Sequence, residues 1–317
     1  MKINFPIVVL FFLLLVLLTS CTHLQQIQTF SHEDVPENFK VAFIGDQGIN
    51  NNSVAVLELI KKENASMVLH QGDFDYSNNP EAWDAQITQI LGENFPYFAS
   101  IGNHDVDSWS EYQKKLEQRL EKIPGAKCFG DLGINSACQY KGIFFVLSGI
   151  GTYGSDHENF LVLALNASNA TWKICSWHKN QELMQTGFKT DEVGWNSFEI
   201  CRDRGAFIVM GHEHAYSRTY SMENFETQKM FNNENDLTLS KNISFAIVSG
   251  LGGQSLREPN SQLTNQSWWA STYNSNYGAL FCELNTKNSS KNETTAECYF
   301  KNISGELIDS FEIHQHH

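Results

Sequence analysis

Apolar and polar positions along the chain follow two alternating periods. Short, mainly apolar runs, as in buried strands, occur at residues 41–44, 67–69 and 97–101. Between these runs, residues 53–62 and 80–91 carry apolar side chains at helical spacing. Strands that alternate with helices in this way predict βα units around a largely parallel sheet, and therefore an α/β fold.

The second half of the chain continues the alternation. We predict strands at residues 142–150, 172–177 and 206–210, and helices at 107–126, 160–165 and 193–202. Near the end, runs at 277–284 and 297–302 flank a polar turn and predict an antiparallel hairpin. The charged helix at 107–126 is expected to cover the domain rather than to carry chemistry.

The N-terminus has the pattern of an export signal. An unbroken apolar run of about 14 residues, 5–18, is shorter than the roughly 20 residues needed to span a bilayer. Residues 18–21 (LTSC) also resemble a bacterial lipobox, in which Cys21 would be acylated. An ordinary cleaved signal and an uncleaved anchor stay open as alternatives. We therefore assign 1–21 to a signal peptide, 22–39 to a polar tether and 40–314 to one catalytic domain.

Charge narrows the class of partner. A formal net charge of −14 and an isoelectric point near 5.2 argue against a nucleic-acid-binding protein, because no basic patch is available to displace counterions. A small ligand is expected instead, and membrane contact only through the N-terminus. Oligomeric state stays open.

Cysteine spacing favours an oxidising compartment. Apart from Cys21, six cysteines fall into three sequence-local pairs, Cys128 with Cys138, Cys175 with Cys201, and Cys282 with Cys298. Free buried thiols are the alternative, since spacing alone does not fix connectivity. With the leader, the even set predicts an exported protein, secreted or tethered to the outer face of a membrane.

Glycosylation sequons are frequent and are expected to mark surface loops. They begin at Asn51, Asn64, Asn166, Asn169, Asn242, Asn265, Asn288, Asn292 and Asn302. Sequons oppose the lipobox interpretation, because bacterial lipoproteins are not usually glycosylated in this way. Both interpretations stay open.

Ligand-type residues follow the predicted strands. They occur at 45–48 (GDQG), 72–76 (GDFDY), 102–105 (GNHD), His178 and 211–214 (GHEH). Open α/β sheets keep their chemistry at the carboxyl ends of strands. Taken singly, each residue would more often be a turn, a helix cap or a structural histidine.

In this order, the five blocks resemble those of calcineurin-like metallophosphoesterases. Gly48, Tyr76 and the run 215–218 are similar to the purple acid phosphatase branch, and the likeness extends over residues 40–313. The resemblance implies a four-layer αββα sandwich of the metallophosphoesterase type with a single catalytic domain.

The resemblance also implies a two-metal site. It assigns Asp46, Asp73, Tyr76 and His214 to the first metal, and Asp73, Asn103, His178 and His212 to the second. The oxygen-rich first site suits Fe(III), and the second suits a divalent ion such as iron, zinc or manganese. His212 and His214 would point to opposite sides of an extended strand, so a turn after Gly211 is required.

The implied activity is hydrolysis of a small phosphorylated substrate. A metal-bound hydroxide would attack phosphorus in line, while His104 stabilises the phosphoryl charge or protonates the leaving alkoxide, and Asp105 orients His104. Trp268, Trp269 and Tyr273 either line a substrate rim or simply pack. No role is expected for His70, His157, His314, His316 or His317.

Two departures leave the substrate class open. Asp105 stands where the purple branch more often has Glu, and no second histidine occurs between His178 and Gly211. We expect a phosphomonoesterase, with a phosphodiesterase using two divalent metals as the alternative. A surface glycoprotein that binds metal or phosphate without turnover is the alternative from another class.

Overall fold

Two large β-sheets organise the protein. The computed structural model describes residues 30, 32–286 and 293–316. The first sheet contains, in spatial order, β12 (Leu237–Leu239), β17 (Leu307–His316), β16 (Glu293–Asn302), β15 (Gly278–Leu284), β1 (Phe39–Ile44), β2 (Met67–His70) and β3 (Tyr97–Ala99). The second contains β14 (Trp269–Tyr273), β9 (Tyr216–Thr219), β13 (Ala246–Ser249), β8 (Phe207–Met210), β7 (Lys173–Trp177), β6 (Ile143–Ser148), β5 (Asn135–Tyr140) and β4 (Lys127–Asp131).

The helices cover the outer faces of these sheets. They are α1 (Asn51–Lys62), α2 (Pro80–Leu91), α3 (Trp109–Glu121), α4 (His157–Asn166), α5 (Asn196–Asp203) and α6 (Ser261–Thr264), with single 3₁₀ turns at Val106–Ser108 and Glu182–Met184. A small hairpin, β10 (Met222–Asn224) with β11 (Lys229–Met230), lies beside the second sheet.

The parallel strands of each sheet have their carboxyl ends at one edge. In the first sheet β1, β2 and β3 are parallel, and in the second β6, β7, β8 and β13 are parallel. The remaining strands of each sheet pair mostly antiparallel and extend it sideways. The predicted hairpin is confirmed, with Cys282 opposite Cys298.

The two sheets pack face to face. Ring pairs join them, with centroids 4.9 Å apart for Phe98 and Phe145 and 6.1 Å apart for Phe43 and Phe207. A second apolar cluster, including Leu161 and Phe198, fills the space between the second sheet and α4 and α5. The predicted αββα sandwich is therefore confirmed.

Several predicted helix limits differ from the structure for local reasons. The helix predicted at 107–126 is a 3₁₀ turn followed by α3, and it ends before Pro124 and Gly125, a pair that cannot continue a helix. The helix predicted at 193–202 begins later, because Asp191 Oδ1 accepts the N–H groups of Val193 and Gly194 in a turn.

The last part of the predicted tether packs on the domain. Phe30 and Val35 are buried, and the Phe30 ring lies 5.0 Å from Phe144. The chain passes so close to Gly142 that a Cβ there would lie 2.3 Å from the Glu33 carbonyl oxygen. The predicted leader, the lipobox and the sequons at Asn288 and Asn292 lie outside the described residues.

All three predicted disulfides are present. The Cα atoms are 4.1 Å apart in Cys128–Cys138, 6.5 Å in Cys175–Cys201 and 4.1 Å in Cys282–Cys298. Within the described part of the chain, no helix has the length and apolar character to cross a membrane. Asn302 departs from the expectation of surface sequons, because it is 1% exposed and donates to Tyr273 Oη and Glu306.

Candidate metal centre

Five strand ends converge at the edge where the two sheets meet. Asp46, Asp73 and Asn103 follow β1, β2 and β3 of the first sheet, while His178 and His212 follow β7 and β8 of the second. Glycines permit the close approach. A Cβ at Gly45 would lie 3.1 Å from the Gly211 Cα, and one at Gly250 would lie 2.8 Å from Asp46 Oδ2.

Four of the predicted site residues adopt left-handed backbone conformations. The φ angle is 59° at Asp46, 60° at Asp73, 61° at Tyr76 and 68° at His212. Such conformations cost free energy in non-glycine residues and concentrate at functional sites. At His212, the conformation supplies the turn that the spacing of the two histidines required.

The first cluster joins Asp46, Tyr76 and His214. Asp46 Oδ1 lies 2.9 Å from the Tyr76 hydroxyl and 3.3 Å from His214 Nε2, and the hydroxyl lies 3.2 Å from that nitrogen. The far ring nitrogen of His214, Nδ1, contacts the Ser255 carbonyl oxygen. A carbonyl only accepts, so Nδ1 carries the proton and Nε2 presents its lone pair to the cluster.

The second cluster joins Asp73, Asn103, His178 and His212. His178 Nε2 lies 3.3 Å from Asp73 Oδ2, 3.2 Å from Asn103 Oδ1 and 3.1 Å from His212 Nδ1. His178 Nδ1 donates to the Gln71 carbonyl at 2.7 Å, so in the neutral ring Nε2 carries the lone pair. Asp73, His178 and His212 form a buried group whose ligand atoms all lie within 4.8 Å of one another.

These contacts fit a bound cation. In a neutral imidazole, His178 Nε2 and His214 Nε2 are lone-pair acceptors, yet each faces a carboxylate oxygen, which is also an acceptor. Two ligand atoms at right angles on one cation, each roughly 2.1 Å from it, lie about 3 Å apart, close to the separations in both clusters. The second-nitrogen contacts to backbone carbonyls are typical of metal-binding histidines.

The charges of the site agree with this interpretation. Burial alone would raise the pKa of Asp46, but His214 and His178 hold it below its ordinary value. Burial would lower the pKa of His178, but Asp73 and Asp46 raise it to about 9. The field that attracts a proton to His178 would equally attract a metal cation.

Tyr76 is poised as a phenol rather than a phenolate in the metal-free protein. Burial, followed by the charges of Asp46 and Asp73, raises its pKa well above the ordinary value. A cation would reverse that influence, since metal ions favour the deprotonated form of their ligands.

His104 and Asp105 occupy different environments. The His104 side chain is exposed, its ring centroid is 4.4 Å from that of Tyr76, and its backbone N–H donates to Asp73 Oδ1. Asp105 is fully buried, and its oxygens accept the N–H groups of Gly102, Asp73 and Phe74 at 2.7–2.9 Å. The expectation that Asp105 orients His104 is corrected: its carboxylate fixes the backbone that presents Asp73.

The substrate-rim interpretation of the late aromatic residues is wrong for both tryptophans. Trp268 and Trp269 are each 8% exposed, and Trp269 Nε1 donates to the Leu263 carbonyl. Tyr273 packs against Phe300 and is held by Asn302. The packing alternative therefore accounts for all three.

The remaining histidines have structural surroundings. Buried His70 accepts the Gly72 N–H through Nδ1, and His157 Nδ1 contacts Asn135 Oδ1 at 2.7 Å. His314 and His316 lie near Glu293, at 3.0 Å and 3.8 Å. His317 lies outside the described residues.

Residues that sequence reasoning missed surround the centre. The Arg257 guanidinium donates to the His212 carbonyl at 3.0 Å and lies 3.7 Å from Glu213. Lys179 and Glu192 both contact His212. Only Lys179, directly after His178, carried a positional signal; Glu192 and Arg257 come from loops without a motif.

The family comparison agrees with the geometry. Residues 14–216, more than half of the chain, match the model of the family described as calcineurin-like phosphoesterase. No curated protein matches the chain.

Two solved structures share the fold. A purple acid phosphatase, PPD1, from yellow lupin (Lupinus luteus) seeds is 19% identical with a TM-score of 0.62, over 86% of this chain and 53% of that protein. This chain thus spans about half of the lupin protein. PhoD is 11% identical with a TM-score of 0.56, over 91% of this chain and 72% of that one. Together with the family match, the arrangement of five strand ends shows that the chain belongs to the calcineurin-like phosphoesterase family.

Proposed function

We propose that the protein hydrolyses phosphate monoesters with a centre of two metal ions. The observation that carries this proposal is the convergence of acceptor atoms, in which His178 Nε2 and His214 Nε2 each face a carboxylate oxygen at 3.3 Å. A fold that binds no cation would gain nothing from such an arrangement, because buried acceptors without donors are costly.

The two clusters define which residues would hold each ion. Asp46, Tyr76 and His214 would bind the first, and Asn103, His178 and His212 the second, with Asp73 shared between them. When bound, the two ions would supply a polarised water near neutral pH and positive charge at the phosphoryl oxygens. The oxygen-rich first cluster favours Fe(III), and the second favours divalent iron, zinc or manganese.

The proposal assigns action on the substrate to His104. Its ring is exposed above Tyr76, while its backbone N–H is fixed on Asp73 Oδ1. From there the imidazole would hold the phosphoryl group or deliver a proton to the leaving oxygen. Asp105 acts through the backbone, by keeping Asp73 and Gly102 in place.

Hydrolysis of chromogenic monoester and diester substrates, before and after chelation and metal return, tests the function. We expect metal-dependent hydrolysis, faster with the monoester. Faster diester hydrolysis would favour the phosphodiesterase alternative. Metal binding without turnover of either substrate would favour the non-catalytic binding protein and refute the proposal.

Metal analysis with visible spectroscopy tests the Fe(III) assignment. A phenolate on Fe(III) absorbs visible light, so we expect a coloured protein that loses this band in Tyr76→Phe. Tyr153→Phe, at a tyrosine that is 47% exposed, is the matched control and should keep the band. Two divalent ions and no visible band would remove Fe(III) from the proposal.

Export is part of the proposal. Three disulfides are compatible with an oxidising compartment. Mass measurement of the mature N-terminus would separate an acylated Cys21 from an ordinary cleaved signal. A full-length cytosolic product with free thiols would contradict export.

A further inference from the structure

We propose that Lys179 and Glu192 form a positioning pair that holds His212 for cation binding; the inference rests on the proposed metal centre. Both side chains reach the outer ring nitrogen of His212. Glu192 Oε2 lies 2.8 Å and Lys179 Nζ 3.2 Å from Nε2, while the inner nitrogen, Nδ1, lies 3.1 Å from His178 Nε2. No motif of the chain identifies either residue.

The proton of His212 decides what each partner does. A cation bound at Nδ1 needs the lone pair there, so the proton of the neutral imidazole must be on Nε2. That proton needs an acceptor, and the Glu192 carboxylate is an acceptor within reach. Lys179 has only donors, so in this state it serves by holding Glu192 through Oε1.

Without a cation, the roles exchange. Lys179 can then donate to the Nε2 lone pair of the tautomer that is protonated at Nδ1. His212 Nε2 therefore has an acceptor, Glu192, for the tautomer that is protonated there, and a donor, Lys179, for the other tautomer. In the metal-free protein the buried Glu192 Oε2 is left without a donor, and the metal-bound tautomer would supply one.

The fold builds this pair from two segments. Lys179 is 9% exposed and directly follows His178 at the end of β7. Glu192 comes from the next loop, where its N–H donates to the Asn180 carbonyl at 3.1 Å. Buried Gln185 orders that loop by donating to the Glu182 and Lys189 carbonyls. The burial of Lys179 and the ordered loop of Glu192 therefore keep both side chains beside His212.

Metal affinity measured by competition with a chelator tests the pair. Full-length metal-free protein is titrated with zinc, first as wild type and then as Glu192→Ala, Glu192→Gln and Lys179→Met. We expect Glu192→Ala to weaken one of two sites by about 10–100-fold and to leave the other unchanged. Glu192→Gln keeps an acceptor oxygen and should lose less; Lys179→Met should also weaken that site.

Glu182→Gln, at an exposed glutamate of the same loop, is the matched control and should bind zinc as wild type does. Histidine NMR of the zinc-loaded wild type should show His212 protonated at Nε2.

Four results would overturn the proposed role of the pair: unchanged zinc affinity in Glu192→Ala, equal weakening of both sites, equal weakening in Glu182→Gln, or a zinc-loaded His212 protonated at Nδ1. If wild type binds two ions but hydrolyses no phosphoester, only the proposed function is refuted, because the affinity series still tests the role of Lys179 and Glu192. Wild type that binds no ion refutes both.

Discussion

Two buried polar clusters connect the sheets of this protein, and they differ in how their hydrogen bonds balance. One is a cluster around Asp309 in β17. Arg218 of β9 donates to both oxygens of this carboxylate, at 2.7 Å and 3.0 Å, and the Tyr216 hydroxyl donates to it at 2.7 Å. Two further guanidinium N–H groups donate to Asn235. Both carboxylate oxygens meet donors and the guanidinium meets acceptors, so the charges of this cluster are balanced within the protein.

The metal centre is incomplete by the same count. Among the described residues, no lysine or arginine pairs with Asp46 or Asp73, and the histidine nitrogens that face them are acceptors in the neutral form. One cluster therefore serves stability, and the other needs a cation from outside. The balance of donors and acceptors, rather than burial alone, therefore distinguishes the metal centre from the cluster around Asp309.

The largest expected effect is the loss of activity in Asp73→Asn. In the proposed centre Asp73 would be shared between both ions, so we expect hydrolysis to fall by more than about 100-fold, beyond the usual effect of a residue that only supports a ligand. The measurement is kcat/KM with the monoester at saturating metal. Near wild-type activity with both ions bound would contradict the assignment of Asp73 to the metal centre.

Asp309→Asn should give the opposite profile. Removing one partner of the buried Arg218 pair should lower the free energy of unfolding by about 3–5 kcal/mol. Activity of the folded fraction and its metal content should stay unchanged. Denaturant unfolding checks stability, and a loss of bound metal in this variant would show that the two clusters are not separate.

Metal removal should have a smaller effect on the free energy of unfolding, and it should again separate the metal centre from the cluster around Asp309. At free metal about 100 times the dissociation constant, binding stabilises the native state by roughly 2.7 kcal/mol, so a chelator should lower the unfolding temperature. Asp309→Asn should show the same shift from its lower starting point. Asp73→Asn should show a much smaller one, and an equal shift would contradict its place in the centre.

The smallest expected effect comes from a cluster at the protein surface. Lys301 and Tyr299 donate to Glu63 at 2.8 Å and 2.7 Å. Burial would raise the pKa of Glu63, but these partners hold it below 4.5. The resulting stability is present above the unfolded-state pKa and is lost as pH falls through the folded-state pKa.

Lys301→Met should therefore cost less than about 1 kcal/mol near neutral pH, because solvent screens this pair. The cost should shrink as pH falls below 4.5, which unfolding measured over a pH series would show. A cost that grows in acid would contradict the assignment.

Sequence patterns predicted the strands of the βα units and the hairpin of β15 and β16, but they gave no strand at β4, β5, β9 to β14 or β17. The helix at 80–91 has the predicted limits, because Asn79 caps it and Pro80 begins it. The rim prediction for Trp268 and Trp269 failed, because a loop aromatic carries no signal of which side it will bury. The sequence named Asp105 but predicted His104 as its partner. The carboxylate instead accepts backbone N–H groups, and a pattern of side chains does not indicate such contacts.

The sequence alone determined the α/β class and the five strand-end blocks, because period, spacing and residue chemistry are local properties. It suggested the three cysteine pairs, and the structure showed that they are bonded. The tertiary structure decided that the tips of two sheets meet, which histidine nitrogen faces inward, and that Lys179 and Glu192 contact His212. Those features depend on contacts between residues far apart in the chain, where small changes in backbone direction decide whether an acceptor meets a donor or another acceptor.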